Sequence, residues 1–348
     1  MMIPYRARRA LRRLFIAVLV LLLAAAALLL CWLLWLNRYV IYDRYEGARL
    51  DFQQSLQYSP GETAVPPEPL ETVEIHYGSA GGDDTPVNTE LVRFSGYYVT
   101  LEELVADFDG VKQKLEALPG GSVILLNIKD VRSWSYYSTS VGMRSENFDV
   151  TRLDDLIPEL KSRGHYLIAR IPAFQEYDYI LEDQAQRVPY GLPRKGGNGS
   201  LWLDTEGPCY WLNPASDGTL TYLIQTVTEI RSIGFNEVVF ADYRFPKTDK
   251  ITFEGDPMQA LTDTAATLVK TCSTDTFAVS FTRTAADLTL PEGRTRLYLE
   301  GVSAADAASL AGQAGFEDAA VHVVFLTDSG DTRFDEFCVL RPLDSAHE

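Results

Sequence analysis

Eight apolar runs of strand length, alternating with helix-period patterns, constrain the fold of this chain more than any other feature. The predicted strands are Val92 to Val99, Ser122 to Ile128, His165 to Ile171, Glu237 to Asp242, Thr276 to Thr282, Arg296 to Glu300, Ala320 to Leu326 and Phe337 to Arg341. Helical periodicity falls between most of them, over Leu101 to Leu118, Thr151 to Arg163, Leu220 to Ile233, Pro257 to Cys272 and Ala304 to Gln313, while the connection from the fifth strand to the sixth reads as loop. Parallel strands buried on both faces read as continuous apolar runs, and helices must cross over between them. A doubly wound open sheet usually has fewer strands and a glycine-rich nucleotide turn, which this chain lacks. The expected fold class is therefore α/β, a (β/α)8 TIM-like barrel, over residues 89–348.

Three segments precede that domain. Leu14 to Leu36 is uncharged, and its 23 residues at about 1.5 Å each cover the roughly 30 Å hydrocarbon layer. Arg6, Arg8, Arg9, Arg12 and Arg13 lie before it and Trp32, Trp35 and Tyr39 at its far end. The positive flank predicts a cytoplasmic tail (1–13), one transmembrane helix (14–36) and an extracytoplasmic remainder. The run is too long for the apolar region of a cleaved signal peptide, and Leu30 before Cys31 argues against lipidation. Residues 37–88, with Pro66-Pro67-Glu68-Pro69, read as a spacer, with a short helix expected over Arg44 to Leu56.

Formal charge is −17 over 348 residues, and removing the five tail arginines leaves −22 on the remainder, which makes nucleic acid a poor partner. Cys209, Cys272 and Cys338 lack C-x-x-C spacing, and the four histidines are scattered. Neither a metal nor any other cofactor is expected.

Four ordered motifs then bear on identity. Gly234-Phe235-Asn236-Glu237-Val238-Val239-Phe240-Ala241-Asp242-Tyr243-Arg244-Phe245-Pro246 is a buried strand ending in charged residues. It resembles the strand-four signature G-F-D-E-I-x-F-D-Y-V/I-R-F-P of the bacterial "Putative glycosyl hydrolase domain" family, a TIM-barrel group distantly akin to α-amylase-like enzymes. Val123 to Asp130 is similar to the family's V-V-I-D-V-K-D strand, and Tyr166 to Phe174 to its Y-x-I-A-R-I-V-x-F strand. Trp202, Gly207, Trp211, Asn213 and Pro214 follow its W…G…W-x-(D/N)-P pattern. The resemblance covers about Val92 to Pro246 and implies a glycoside-hydrolase-like barrel acting on a polysaccharide or oligosaccharide.

Two departures bear on chemistry. Glycoside hydrolysis takes two carboxyl groups, one protonating the leaving oxygen and one attacking or activating water. Aligned on Arg244-Phe245-Pro246, the family's strand-four aspartate falls on Ala241, and its strand-two aspartate is replaced by Asn127. Some related barrels carry F-D-D-Y at strand four, and against that form Asp242 and Tyr243 match. The candidate catalytic acids are Asp242, Glu300 and Asp130; the candidate sugar-binding residues are Lys129, Arg170, Glu176, Trp202, Trp211, Tyr243 and Arg244. The aromatic members would stack on sugar rings or roof the core. Two functions follow as expectations: an envelope glycoside hydrolase, or a catalytically inactive carbohydrate-binding or scaffold protein.

Overall fold

The computed structural model describes residues 40–43, 47–50, 91–177, 190–197, 199–205 and 207–346. The segment 14–36 lies outside them, and no helix among the described residues is long and apolar enough to cross a membrane. The chain divides into two units, 1–82 and 83–348. In the first, Val40–Asp43 pairs antiparallel with Gly47–Leu50. The strand Gly47–Leu50 corrects that part of the helix expected over Arg44 to Leu56, the rest of which lies outside the described residues.

The second unit is a closed barrel of eight parallel strands. They are β1 (Ser95–Val99), β2 (Val123–Asn127), β3 (Tyr166–Pro172), β4 (Glu237–Ala241), β5 (Ala278–Arg283), β6 (Leu297–Glu300), β7 (Val323–Leu326) and β8 (Cys338–Pro342). Each strand pairs with its sequence neighbours, and β8 closes on β1 with Val339 opposite Ser95. All eight predicted strands are present, shifted by a few residues at most ends.

Local chemistry fixes the helices. Thr100 and Glu103 form a reciprocal capping box that starts α1 (Leu101–Ala106), and Asp107 caps α2 (Phe108–Ala117). The single helix expected over Leu101 to Leu118 is thus two, because the Asp107 carboxylate takes the Gly110 N–H and its backbone leaves helical geometry. Next come α3 (Thr151–Ser162), α4 (Asp217–Ser232) and α5 (Pro257–Cys272), the last with Asp256 as cap and Pro257 at its first position. After β6, α6 (Ala307–Gln313) precedes a single turn, α7 (Ala319–His322). That turn, capped by Asp318, occupies the predicted start of the seventh strand.

Side chains alternate inward and outward along each strand. Leu125, Ile168, Val239, Tyr298, Val324 and Leu340 fill the interior as one cluster, while outward residues such as Leu126, Leu167 and Val238 pack on the helices. Period two then places inward residues toward the carboxyl-end mouth, Tyr98, Asn127, Arg170, Ala241, Thr282, Glu300 and Leu326, with Pro172 and Pro342 the last inward positions of β3 and β8. The opposite end is plugged by the Glu237 carboxylate, which accepts from Arg296 Nη1 (2.6 Å), Ser280 Oγ (2.6 Å), Tyr298 OH (2.8 Å) and Tyr166 OH (3.0 Å).

After β3 comes a long insertion, residues 175–217, whose described residues form a small antiparallel sheet of Gln175–Glu176, Cys209–Trp211 and Leu203–Asp204. It stands on the carboxyl-end face, where barrel loops carry function.

Candidate functional site

A cavity of about 220 Å³ opens at the barrel mouth, lined by Tyr98, Thr100, Leu125, Asn127, Arg170, Glu300 and Leu326. Its charged members face each other across the barrel: Arg170 donates through Nη2 to Glu300 Oε1. Both are partly exposed, at 21% and 33% for their side chains. Asn127 Oδ1, Arg170 Nε and Thr282 Oγ1 are buried without a hydrogen-bond partner. Unpaired polar atoms at a barrel mouth are the kind of defect a ligand or water repairs. The Tyr98 hydroxyl is held above its usual pKa by burial first, then by Asp328, Glu103 and Glu300, with Arg170 opposing.

A larger cavity of about 400 Å³ lies elsewhere, between the starts of α4 and α5 and Phe253 to Asp256. It is lined by no barrel strand, and Asp256, one of its acids, is committed to capping α5.

Of the predicted acids, Glu300 alone lines the mouth cavity among the described residues. Asp242 follows the last residue of β4 in left-handed backbone, φ 49°, and its Oδ1 accepts from Arg244 Nε at 2.6 Å. The Arg244 guanidinium lies 5.0 Å above the Trp211 ring. Asp242 is thereby held on the insertion side of the rim. The inward position one residue earlier is Ala241, a methyl group where the resembling family carries its aspartate. Asp130, in the turn after β2, accepts from the backbone N–H of Arg132 (2.9 Å) and Trp134 (3.0 Å). Burial raises its carboxyl pKa, and those N–H groups pull it part of the way back.

The predicted binding residues separate by burial. Lys129 and Glu176 are 5% and 1% exposed and paired with one another. Tyr222 on α4 donates to Glu176 at 2.7 Å and Ser133 donates to it as well, so this pair fastens the loop after β2 to the insertion. Tyr243 is fully buried, its ring against Phe174 and Phe281 and its hydroxyl donating to Leu261 O at 2.9 Å. Trp202 and Trp211, both within the insertion, pack into the core, with Trp211 Nε1 donating to Asp204 Oδ2 at 3.2 Å. Arg170 remains at the mouth and Arg244 at the rim. Cys209 sits among these rim acids, its thiol pushed up to about 12 by burial and then by Asp204, Glu176 and Asp242.

Sequence reasoning missed Tyr98, Thr100, Thr282 and Leu326, although taking the last inward residue of every strand would have found three of them. It also missed Glu229 of α4, which accepts from Tyr137 OH (3.1 Å), Thr139 Oγ1 (2.5 Å), Ser140 N (2.6 Å) and Ser140 Oγ (2.8 Å). Nothing local marks Glu229 in sequence, because its partners lie about 90 residues away.

Similarities to known proteins agree with this architecture. The α-galactosidase of Lactobacillus brevis superposes with a TM-score of 0.51 at 10% identity, covering 75% of this chain and 38% of that one. A Paenibacillus cycloisomaltooligosaccharide glucanotransferase gives 0.48 at 12% identity over 67% and 38%, and a hypothetical protein from Ruminiclostridium thermocellum gives 0.44 at 16% over 53% and 96%. The chain thus spans well under half of the two enzymes, and at such identity the first likeness shows the barrel fold alone. None of the curated proteins matches in sequence. Residues 122–277, from the start of β2 to the edge of β5, match the family model described as "Putative glycosyl hydrolase domain", and over that segment the chain carries this family's domain.

Proposed function

We propose that this protein is a membrane-tethered barrel that recognises a polysaccharide or oligosaccharide outside the cytoplasm without hydrolysing it. The observation that carries the reading is the mouth layer. Asn127 and Ala241 end the inward faces of β2 and β4, and Glu300, the carboxylate lining the cavity, is engaged by Arg170. Hydrolysis asks for two carboxyl groups roughly 5–5.5 Å or 6.5–9.5 Å apart around the scissile bond. Recognition asks only for a cavity with directed polar groups, which the mouth supplies.

The test uses the full chain in lipid nanodiscs. A glycan array is expected to show binding, and prolonged incubation with the bound glycans is expected to release no reducing sugar. The tether is checked by carbonate extraction and external protease: the chain stays with the membrane and residues 89–348 are digested from the outer side. Recovery in the soluble fraction would remove the tether.

Hydrolysis is the second reading, favoured by one specific observation. A non-glycine residue in left-handed backbone stores strain of order 1–3 kcal/mol, and such strain clusters at functional sites. Asp242 is in that conformation at the end of β4. In this reading Asp242 attacks or activates water, and Glu300 or the desolvated Asp130 donates the proton. Sugar release by the wild type that is abolished in both Asp242→Asn and Glu300→Gln would establish it over the binding reading.

A further inference from the structure

The arrangement at the barrel mouth says more than that a sugar binds there. An arginine in a cavity is ordinarily an invitation to carboxylates and sulfates, since its planar guanidinium matches them in two-point hydrogen bonding. Here Arg170 is not available in that way. Glu300 reaches from β6 across to Arg170 on β3 and takes Nη2, while Nε is buried. The pair is formally neutral, and no other charged side chain lines the cavity among the described residues.

The surroundings tilt the balance further. The groups acting on the Tyr98 hydroxyl are three carboxylates, Asp328, Glu103 and Glu300, against the single guanidinium of Arg170. Glu103 is fixed close by, since its carboxylate accepts from Thr100 N and Thr100 Oγ1, both at 2.8 Å. An anionic ligand would have to separate Arg170 from Glu300 or lie beside three like charges. An uncharged ring bearing hydroxyl or amide groups meets neither obstacle, because Glu300 accepts from its donors and Asn127, Tyr98 and Arg170 provide the rest. Size limits the occupant as well. A volume of about 220 Å³ lies below the roughly 300–1,000 Å³ of pockets for drug-sized molecules, which fits one sugar ring rather than a run of chain.

We propose that Glu300 is a specificity-determining residue: by holding Arg170 in an ion pair it makes the mouth select a single uncharged terminal sugar residue and reject carboxylated or sulfated ones. This rests on the carbohydrate-recognising reading above and adds the charge class of its ligand.

The experiment compares wild type and Glu300→Gln, as full chains in nanodiscs of uncharged lipid, on an array of matched oligosaccharides. These end either in glucose, galactose, mannose or N-acetylglucosamine, or in a uronic acid or sulfated residue, and each hit is titrated by calorimetry. The wild type is expected to bind uncharged termini. Glu300→Gln, which frees the Arg170 charge, is expected to gain at least about tenfold in affinity for uronate termini, a change of about 1.4 kcal/mol. A second measurement needs no variant: wild-type affinity for the uncharged hit stays within about twofold from roughly 0.01 to 1 M salt, where the screening length falls from about 30 to 3 Å. Wild-type preference for anionic termini, or a steep salt dependence, overturns the charge filter and leaves carbohydrate recognition standing. Failure of both proteins to bind any glycan overturns the recognition reading itself.

Discussion

Replacing Glu237 by glutamine tests what holds the strands of the mouth in register. Glu237 is fully buried at the amino end of β4 and joins four strands: Tyr166 from β3, Ser280 from β5, Tyr298 from β6 and Arg296 immediately before it. These strands carry Arg170, Ala241, Thr282 and Glu300 at their other ends. Burial alone would lower the pKa of the Arg296 guanidinium, but the facing Glu237 together with Tyr166, Tyr298 and Cys338 more than reverses that, so the guanidinium stays charged. Arg296 also donates to Val321 O (3.0 Å) and Val92 O (3.1 Å), which ties the barrel floor to the chain entering β1 and β7. Glutamine keeps the shape and removes the charge. Breaking one side of a buried pair costs roughly 3–5 kcal/mol, and turning an amide NH2 toward a former donor adds about 1 kcal/mol. Against a typical stability of about 5–15 kcal/mol, the loss of about 4–6 kcal/mol is roughly a quarter or more. At about 2–4 °C per kcal/mol, the midpoint falls by roughly 8–24 °C. Thermal unfolding followed by near-ultraviolet circular dichroism at pH 7 measures it, with the double variant Glu237→Leu and Arg296→Met expected to recover part of the loss. A loss under about 1 kcal/mol for Glu237→Gln refutes the claim that this buried pair anchors the floor.

Glu229→Gln is expected to loosen the loop after β2, because the amide supplies a donor where four donors need acceptors; limited proteolysis should then cut near 138–144 faster, at a stability cost of about 1–3 kcal/mol, and an unchanged cleavage pattern would count against the clamp. Asp130→Asn retains an oxygen for the N–H groups of Arg132 and Trp134 while removing a desolvated charge, so urea unfolding at pH 7 is expected to show equal or slightly higher stability; a clear loss would show that the charge itself is needed. His165 is buried with both ring nitrogens unpartnered, and burial lowers its pKa below the usual value of about 6.5. The unfolded chain therefore takes up a proton there before the folded one does, so stability falls as pH drops below about 6.5, and His165→Phe should flatten that part of the profile in urea titrations from pH 8 to 5.

Much of the barrel was legible because its strands are buried on both faces. Val123 to Leu126 and Val238 to Phe240 can be solvated on neither side, and such runs have few alternatives to a covered parallel sheet. Errors arose where a short-range hydrogen bond overrode periodicity. The Asp107 carboxylate split the first helix, and Asp318 turned Ala319 to His322 into a helical turn before β7. Apolar pattern alone does not carry those caps, although an aspartate three residues before a glycine, or next to an alanine run, is a visible sign. The site was less legible because burial decides it. Lys129, Glu176 and Tyr243 stand in motif positions, yet Tyr222 and Ser133 close over the first two and Phe174 and Phe281 over the third. Each of those contacts spans tens of residues in sequence, and no local rule anticipates them.

The two departures from the family pattern and the Arg170–Glu300 pair belong to one balance of charge. Asn127 stands opposite Arg170 in the β2–β3 register, and Ala241 stands opposite Pro172 in the β3–β4 register, so both flank the strand that delivers the arginine. An acid at 127 together with Glu300 would put two carboxylates beside one guanidinium, with an acid at 241 one inward step further out. Like charges so placed raise one another's pKa, the condition that gives a hydrolase its proton donor. With asparagine and alanine there, the mouth layer holds one acid and one base and is formally neutral. Glu300 then has Arg170 as its charged partner in that layer. A carboxylate paired with an arginine is a good hydrogen-bond acceptor for a hydroxyl. On the proposed reading, those two substitutions leave a site suited to holding a sugar.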